Sequence, residues 1–234
     1  TLPHPTAYYG ANDADGNDQY VVDFVIDACS AADQMGIDFS QYDNDEDGIV
    51  DFVYIIYAGY AESESAISNH IWPHNWDLIS ALYFGYTNQK EYYANSETDY
   101  KLPSYDGKLV NSYACSNELR KTTDQRAGIG TICHEFSHVL GLPDLYTTNG
   151  ASHRTCVDWD ILDYGPYNND GNTPPTYSAY ERFFMGWLTP RVLKESEIVT
   201  LRDLQTYNEA VLSCDVDTHN LVGNAPTPSS FYLL

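Results

Sequence analysis

Basic residues are scarce in this chain: 11 lysines and arginines stand against 34 aspartates and glutamates, a formal charge of −23. A protein that grips nucleic acid does so through a basic face, so nucleic acid is excluded as a partner. Long hydrophobic runs are missing as well. The longest apolar stretch, "FVYIIYAGYA", is of strand length and far short of the roughly 18 residues of a membrane helix, so no transmembrane segment is expected. Cysteine is sparse. Cys29, Cys115, Cys133, Cys156 and Cys214 form no Cys-x-x-Cys pair, which argues against a structural zinc ribbon, and the odd count leaves a free thiol or a bond to another chain. The opening "TLPHPTAYYG" has neither the basic nor the apolar region of a signal peptide, as expected of a mature form.

What is present suits a folded, soluble protein. Hydrophobic residues make up 43% of the 234, enough to bury a core, in one large domain or two lobes around a cleft. The acidic excess fits a solvated surface or a secreted protein that binds cations. Apolar spacing at Val21, Val25, Ala28, Ala32 and Met35 predicts a helix over 20–35. Residues 50–59, "VDFVYIIYAG", are β-branched and aromatic on both faces and read as a buried central strand. The segment "AESESAISNHIWPHNWDL" reads as loop because of Pro73. "KLVNSYAC", residues 108–115, alternates after a turn signal and reads as an edge strand. "TTDQRAGIGTICHEFSHVLGL" reads as a helix capped by Thr122, Thr123 or Asp124 and ended by Gly141. "TYSAYERFFMGWL" reads as another, with Tyr180, Phe183, Phe184 and Trp187 on one side.

The chemistry sits in "HEFSHVLGLPD". Residues four apart on a helix share a face, so His134 and His138 can reach one metal ion. Glu135 lies about 100° round the helix, placed to hold a metal-bound water rather than to act as an equal ligand. Gly141, three residues after His138, can adopt positive φ and end the helix sharply. Asp144 follows three residues later, where the third histidine stands in the pattern H-E-x-x-H-x-x-G-x-x-H, and zinc accepts a carboxylate oxygen. Glu181, on the following helical segment, is the rival third ligand, although it can equally pair with Arg182 or Arg191. His70, His74, His153 and His219 lack ligand spacing, and Cys133 reads as a packed neighbour rather than a ligand.

A second motif is "DNDEDGIVD", residues 43–51. Asp43, Asp45, Asp47 and Asp51 alternate, Gly48 permits the turn, and Ile49 offers its carbonyl, as in a calcium loop. Tyr54 stands where a full EF-hand has a bidentate glutamate, so this is a shorter loop feeding a strand. Four uncompensated carboxylates so close would repel without a cation. "NDADGND", residues 12–18, echoes the pattern weakly and reads equally as a turn.

The segments "HEFSHVLGLPDLY", "DNDEDGIVDFVYIIYAG", "IWPHNW" and "WDILDYGPYN" together resemble the secreted bacterial metallopeptidases related to immune inhibitor A, over most of residues 1–190. The resemblance implies a zinc endopeptidase with an α+β, metzincin-like fold, exported and made with a propeptide, and acting on protein or peptide substrates. It implies His134, His138 and Asp144 as zinc ligands and Glu135 as general base. The expected architecture is a mixed twisted sheet with an active-site helix in an upper lobe, 1–141, and a loop-rich lower lobe, 142–234. Metzincins carry a methionine in a turn under the zinc; here Leu162 stands in its place, close in volume and apolar. Tyr164, two residues on, is placed to donate to the developing oxyanion, or is one more structural tyrosine among 21. The strand near Lys108–Cys115 is, by fold analogy, where substrate would pair. The expected cofactors are one catalytic zinc ion and one structural calcium ion. Two other functions fit parts of the sequence: a zinc hydrolase of non-peptide amides or esters, and a calcium-dependent adhesion module without catalysis.

Overall fold

The computed structural model describes residues 1–92, 101–121, 123–148, 152, 155–213 and 231–234. These fall into two compact units, Thr1–Gly141 with Asn169–Thr173, and Leu142–Asn168 with Pro174–Leu234. The class is mixed α+β. No helix among the described residues is long and apolar enough to cross a membrane.

The first unit runs α1 (Thr6–Tyr9), α2 (Val21–Gln34), β1 (Val53–Tyr60), α3 (Glu62–Ser65), β2 (His74–Asp77), α4 (Leu78–Tyr83), β3 (Ser104–Tyr105), β4 (Lys108–Leu109), β5 (Ser112–Leu119) and α5 (Gly130–Val139). Helix α2 follows its apolar spacing: Val21, Val22, Val25, Ile26 and Cys29 are buried, joined by Phe24. Met35, expected on that stripe, is 85% exposed because the helix stops at Gln34 and Gly36 turns the chain away with φ +87°. Against α2 the core adds Tyr57 of β1, Leu78, Ala81 and Leu82 of α4, and Tyr113 and Cys115 of β5.

The sheet order is β1-β5-β2, with β1 parallel and β2 antiparallel to β5. This corrects two expectations. The central strand is β5, not the segment 50–59, and residues 108–115 divide: Lys108–Leu109 form β4 in a separate two-stranded sheet with β3, while Ser112–Cys115 open the central strand β5. β5 is buried from Tyr113 to Asn117 on both faces. Tyr113 and Cys115 point into the main core, while the small residues Ala114 and Ser116 alternate to the other face, where they leave room for α5. β1 is at the sheet's edge, and its Ile56 is 60% exposed. The chain after Pro73, expected as loop, forms β2 and α4; Pro73 sits just ahead of the strand, where its missing N–H costs no ladder bond.

Helix α5 is shorter than expected. Residues 120–127 turn back onto β5 instead of coiling: Leu119 bridges Arg126, and the Ala127 amide donates to the Glu118 carbonyl at 2.7 Å. Neither Thr123 nor Asp124 caps the helix, whose N-cap is Ile129, and Thr122 lies outside the described residues. Gly128 is needed here because a Cβ would sit 2.1 Å from the Gly171 carbonyl oxygen of the returning 169–173 segment. Arg120 pairs with Asp170 of the same segment.

The second unit contains α6 (Ala179–Phe184), β6 (Arg191–Leu193), α7 (Leu204–Tyr207), β7 (Val211–Ser213) and β8 (Tyr232–Leu233), the strands forming a sheet in the order β6-β7-β8. Its core joins Phe183, Leu188, Ala210 and Leu212. The aromatic side expected on α6 splits: Phe183 is buried, whereas Tyr180 and Trp187 are each 44% exposed. Among the described residues Cys29, Cys115, Cys133 and Cys156 are free thiols; Cys214 lies outside them, as do His153 and His219.

Candidate active site

Helix α5 brings His134, Glu135 and His138 together, with ligand atoms of all three within 4.8 Å of one another. The Nε2 atoms of His134 and His138 are 3.3 Å apart and their rings are nearly perpendicular, at 82°. Two nitrogens bound to a tetrahedral zinc ion at about 2.05 Å each would lie about 3.3 Å apart, so the pair has the bite of that ion. Glu135 is 6% exposed, and its carboxylate reaches the imidazoles although its Cβ points elsewhere on the helix.

The larger apolar side chains in and beside α5 are not the ones it buries. Ile129 is 56% and Phe136 45% exposed, Phe136 meeting Phe52 edge-on. The buried positions are Gly130, Glu135 and Ser137. Ser137 donates to the Cys133 carbonyl at 2.6 Å, a bond within the helix that satisfies its buried hydroxyl. The helix packs on β5 and β2. A small and polar face suits this because β5 offers Ala114 and Ser116 there.

Gly141 takes φ +92°, as its place past the helix end requires, and a residue with a Cβ would be strained there. Asp144 and Tyr164 both belong to the second unit. Within it the Leu145 amide donates to the Leu162 carbonyl at 2.9 Å, which ties the segment after Gly141 to the "WDILDYG" turn. Leu162 is fully buried, and Tyr164 is 57% exposed. The Leu162 amide donates to Asp160 Oδ1 at 2.8 Å, holding the turn from beneath.

Glu181, the rival third ligand, is instead a capping residue. Its Oε2 accepts the Ser178 amide at 2.5 Å while Ser178 Oγ accepts the Glu181 amide, a capping box at the start of α6. It is fully buried beside Asp160. Burial, then the Asp160 charge, push its carboxyl up to about 7. Neither Arg182 nor Arg191 pairs with it: Arg182 binds Asn208 and Thr176, and Arg191 binds Glu197. His74 is also structural. Its Nδ1 meets the Trp72 carbonyl at 2.6 Å and its Nε2 the Tyr113 hydroxyl at 2.9 Å, and burial lowers its pKa. His70 is held by Ser65 at 2.8 Å.

In the 43–51 loop, Asp43, Asp45 and Asp47 place carboxylate oxygens within 4.8 Å of one another. Asp51 is engaged differently, accepting the Asn44 amide at 3.1 Å. The loop's charge is also less bare than its sequence suggests. Lys108 Nζ, from β4, lies 2.6 Å from Asp43 Oδ2 and holds that carboxyl below its ordinary range. The 65-residue separation of this pair hid it from sequence reasoning.

An imidazole pair with a buried carboxylate beside it could hold a metal ion, and comparison with known proteins places the chain among metal-dependent peptidase domains. Residues 1–188 match the family model for the immune inhibitor A peptidase M6 catalytic domain. The chain belongs to that family of peptidase catalytic domains. It is 29% identical over 208 residues to immune inhibitor A of Bacillus thuringiensis subsp. alesti, an alignment covering 79% of this chain and 28% of that protein. It is 26% identical over 200 residues to the pre-pro-metalloprotease PrtV of Vibrio cholerae serotype O1 (strain M66-2), covering 76% of this chain and 20% of that protein. The chain thus spans less than a third of the length of these curated relatives.

Proposed function

We propose that the chain is a zinc-dependent endopeptidase domain that hydrolyses protein or peptide substrates with Glu135 as general base. The observation that carries this is the 3.3 Å separation of the His134 and His138 Nε2 atoms with the Glu135 carboxylate beside them. A zinc ion held by His134, His138 and Asp144 would polarise the scissile carbonyl and make a water acidic near neutral pH. Glu135 then takes the proton from the attacking water and returns it to the leaving amine. The Tyr164 hydroxyl, exposed on the turn that follows Leu162, is the proposed donor to the oxyanion.

With β5 in the sheet's centre, an extended substrate cannot add to Ser112–Cys115. The antiparallel edge strand β2, packed against α5, is the better pairing site. Asp43, Asp45, Asp47 and Asp51 with the Ile49 carbonyl form the proposed calcium loop, Asp51 also accepting the Asn44 amide. Family membership supports a bacterial protein acting outside the cell or at its surface, and removal of a propeptide before activity.

The test is Glu135→Ala. Turnover of an unfolded protein substrate should fall by about 10²–10⁴ while bound zinc, counted by metal analysis, stays at the parent level. A variant that digests the substrate as fast as the parent would show that Glu135 is not the base.

A further inference from the structure

The 12–18 segment that echoed a calcium loop does not fold as one. Asp13 Oδ1 accepts the amides of Asp15 and Asn17 at 2.8 and 3.0 Å, which makes a self-contained turn. The two ends of that turn do something else. Asn12 and Asp18 face each other across an antiparallel bridge, and Glu62, at the start of α3, joins them from 50 residues away. Asn12 Nδ2 donates to Glu62 Oε1 at 2.9 Å, which fixes the orientation of the Asn12 amide, and the Trp72 amide donates to Asp18 Oδ2 at 2.9 Å.

Three oxygens are left over. Asn12 Oδ1, Asp18 Oδ1 and Glu62 Oε2 are each buried without a hydrogen-bond partner. Asp18 is 6% exposed, and burial pushes its carboxyl up to about 7, with the Glu62 charge adding to the rise, so the two carboxylates lie within each other's field. Asp23, also buried in the same unit, shows how this chain treats a carboxylate it satisfies by itself: Tyr8, Thr87 and the Asn88 amide all donate to it. Asp18 has no such set.

We propose that Asn12 Oδ1, Asp18 Oδ1 and Glu62 Oε2 are ligands of a divalent cation of the calcium class, at a site separate from both the histidine pair and the 43–51 loop. The donor set is all oxygen, with two carboxylates and an amide carbonyl, which suits a hard cation and gives zinc no nitrogen or sulfur. Two negative charges balance one divalent ion. A proton would serve two of the three oxygens at most, and a water donates only two hydrogens, so either leaves an acceptor unserved. Through the Trp72 amide on Asp18, the ion would tie the N-terminal turn to the chain that enters β2.

The experiment counts calcium bound by the zinc-loaded chain, using calorimetric titration with calcium alone. It compares the parent, Asp18→Asn, Glu62→Gln, and each of these in a background carrying Asp45→Asn and Asp47→Asn. Asp18→Asn should remove one bound calcium whether or not the 43–51 loop is intact. Glu62→Gln keeps an acceptor for the Asn12 amide, so it preserves the local fold and should weaken that same site by about tenfold or more. If Asp18→Asn fails to fold, Glu62→Gln decides. The proposal is overturned if the loop background alone abolishes all calcium binding, if the parent binds none, or if stoichiometry and affinity are the same in parent and Glu62→Gln. An Asp18→Asn variant that is more stable and binds as much calcium as the parent would show a protonated buried acid instead.

Discussion

Glu181 offers a quantitative test of the second unit. Its carboxyl is fully buried, its Oε2 caps α6, and the Asp160 carboxyl lies beside it. Burial raises its pKa from 4.5 to about 7, and burial raises that of neighbouring Asp160 as well. An acid with a raised pKa in the fold holds its proton longer there than in the unfolded chain. Between 4.5 and about 7 the native state therefore binds more protons, and stability falls as pH rises through that window, then levels off. At up to about 1.4 kcal/mol per pH unit the ceiling is about 3 kcal/mol, and polar relaxation around the Asp160 pair brings the expected fall to about 1–2 kcal/mol. Glu181→Gln keeps the acceptor that caps Ser178 and removes the titration. Urea unfolding followed by tryptophan fluorescence at pH 5, 6, 7 and 8 should show a flatter stability profile for the variant and a gain of about 1–2 kcal/mol at pH 8. A variant whose profile runs parallel to the parent's across that range would refute the assignment of the proton to Glu181.

Three further outcomes follow from particular positions. Gly141→Ala must hold a Cβ at φ +92° and should lose about 1–2 kcal/mol, read as a lower thermal midpoint. Tyr164→Phe should lower kcat by about 10² with little change in KM or in circular dichroism, because the side chain is exposed; unchanged kcat would make it a surface tyrosine. Lys108→Met removes the ammonium that already sits on Asp43, so the 43–51 loop should bind calcium more tightly in titrations at low salt, and weaker binding would show that Lys108 supports the site.

The parts of this molecule that were legible in its sequence are those whose determinants are contiguous. Helix α2 declares itself because Val21, Val25, Ala28 and Ala32 recur at helical spacing, although the spacing overruns the helix end at Met35. The histidine pair does so because one turn of α5 carries both side chains and the carboxylate. What was misread depends on distant partners. β5 looks like an edge because its central residues are small and polar, yet those residues are what let α5 approach. Residues 120–127 look helical until the Ala127 amide pairs with the Glu118 carbonyl and Arg126 bridges Leu119. Glu181 resembles a ligand on spacing alone, and only the geometry of Ser178 reveals a cap. Lys108 on Asp43 and Glu62 on Asn12 are pairs separated by 65 and 50 residues, which no local pattern announces.

The central claim is a zinc ion on α5 held by His134 and His138 with Glu135 beside it. The most direct measurement is diffraction from a crystal on both sides of the zinc absorption edge. The account predicts one zinc peak bonded to both Nε2 atoms and to Asp144, with the fourth position open. A peak bonded to Glu181, or no peak at the histidine pair after zinc is supplied at neutral pH, would contradict it.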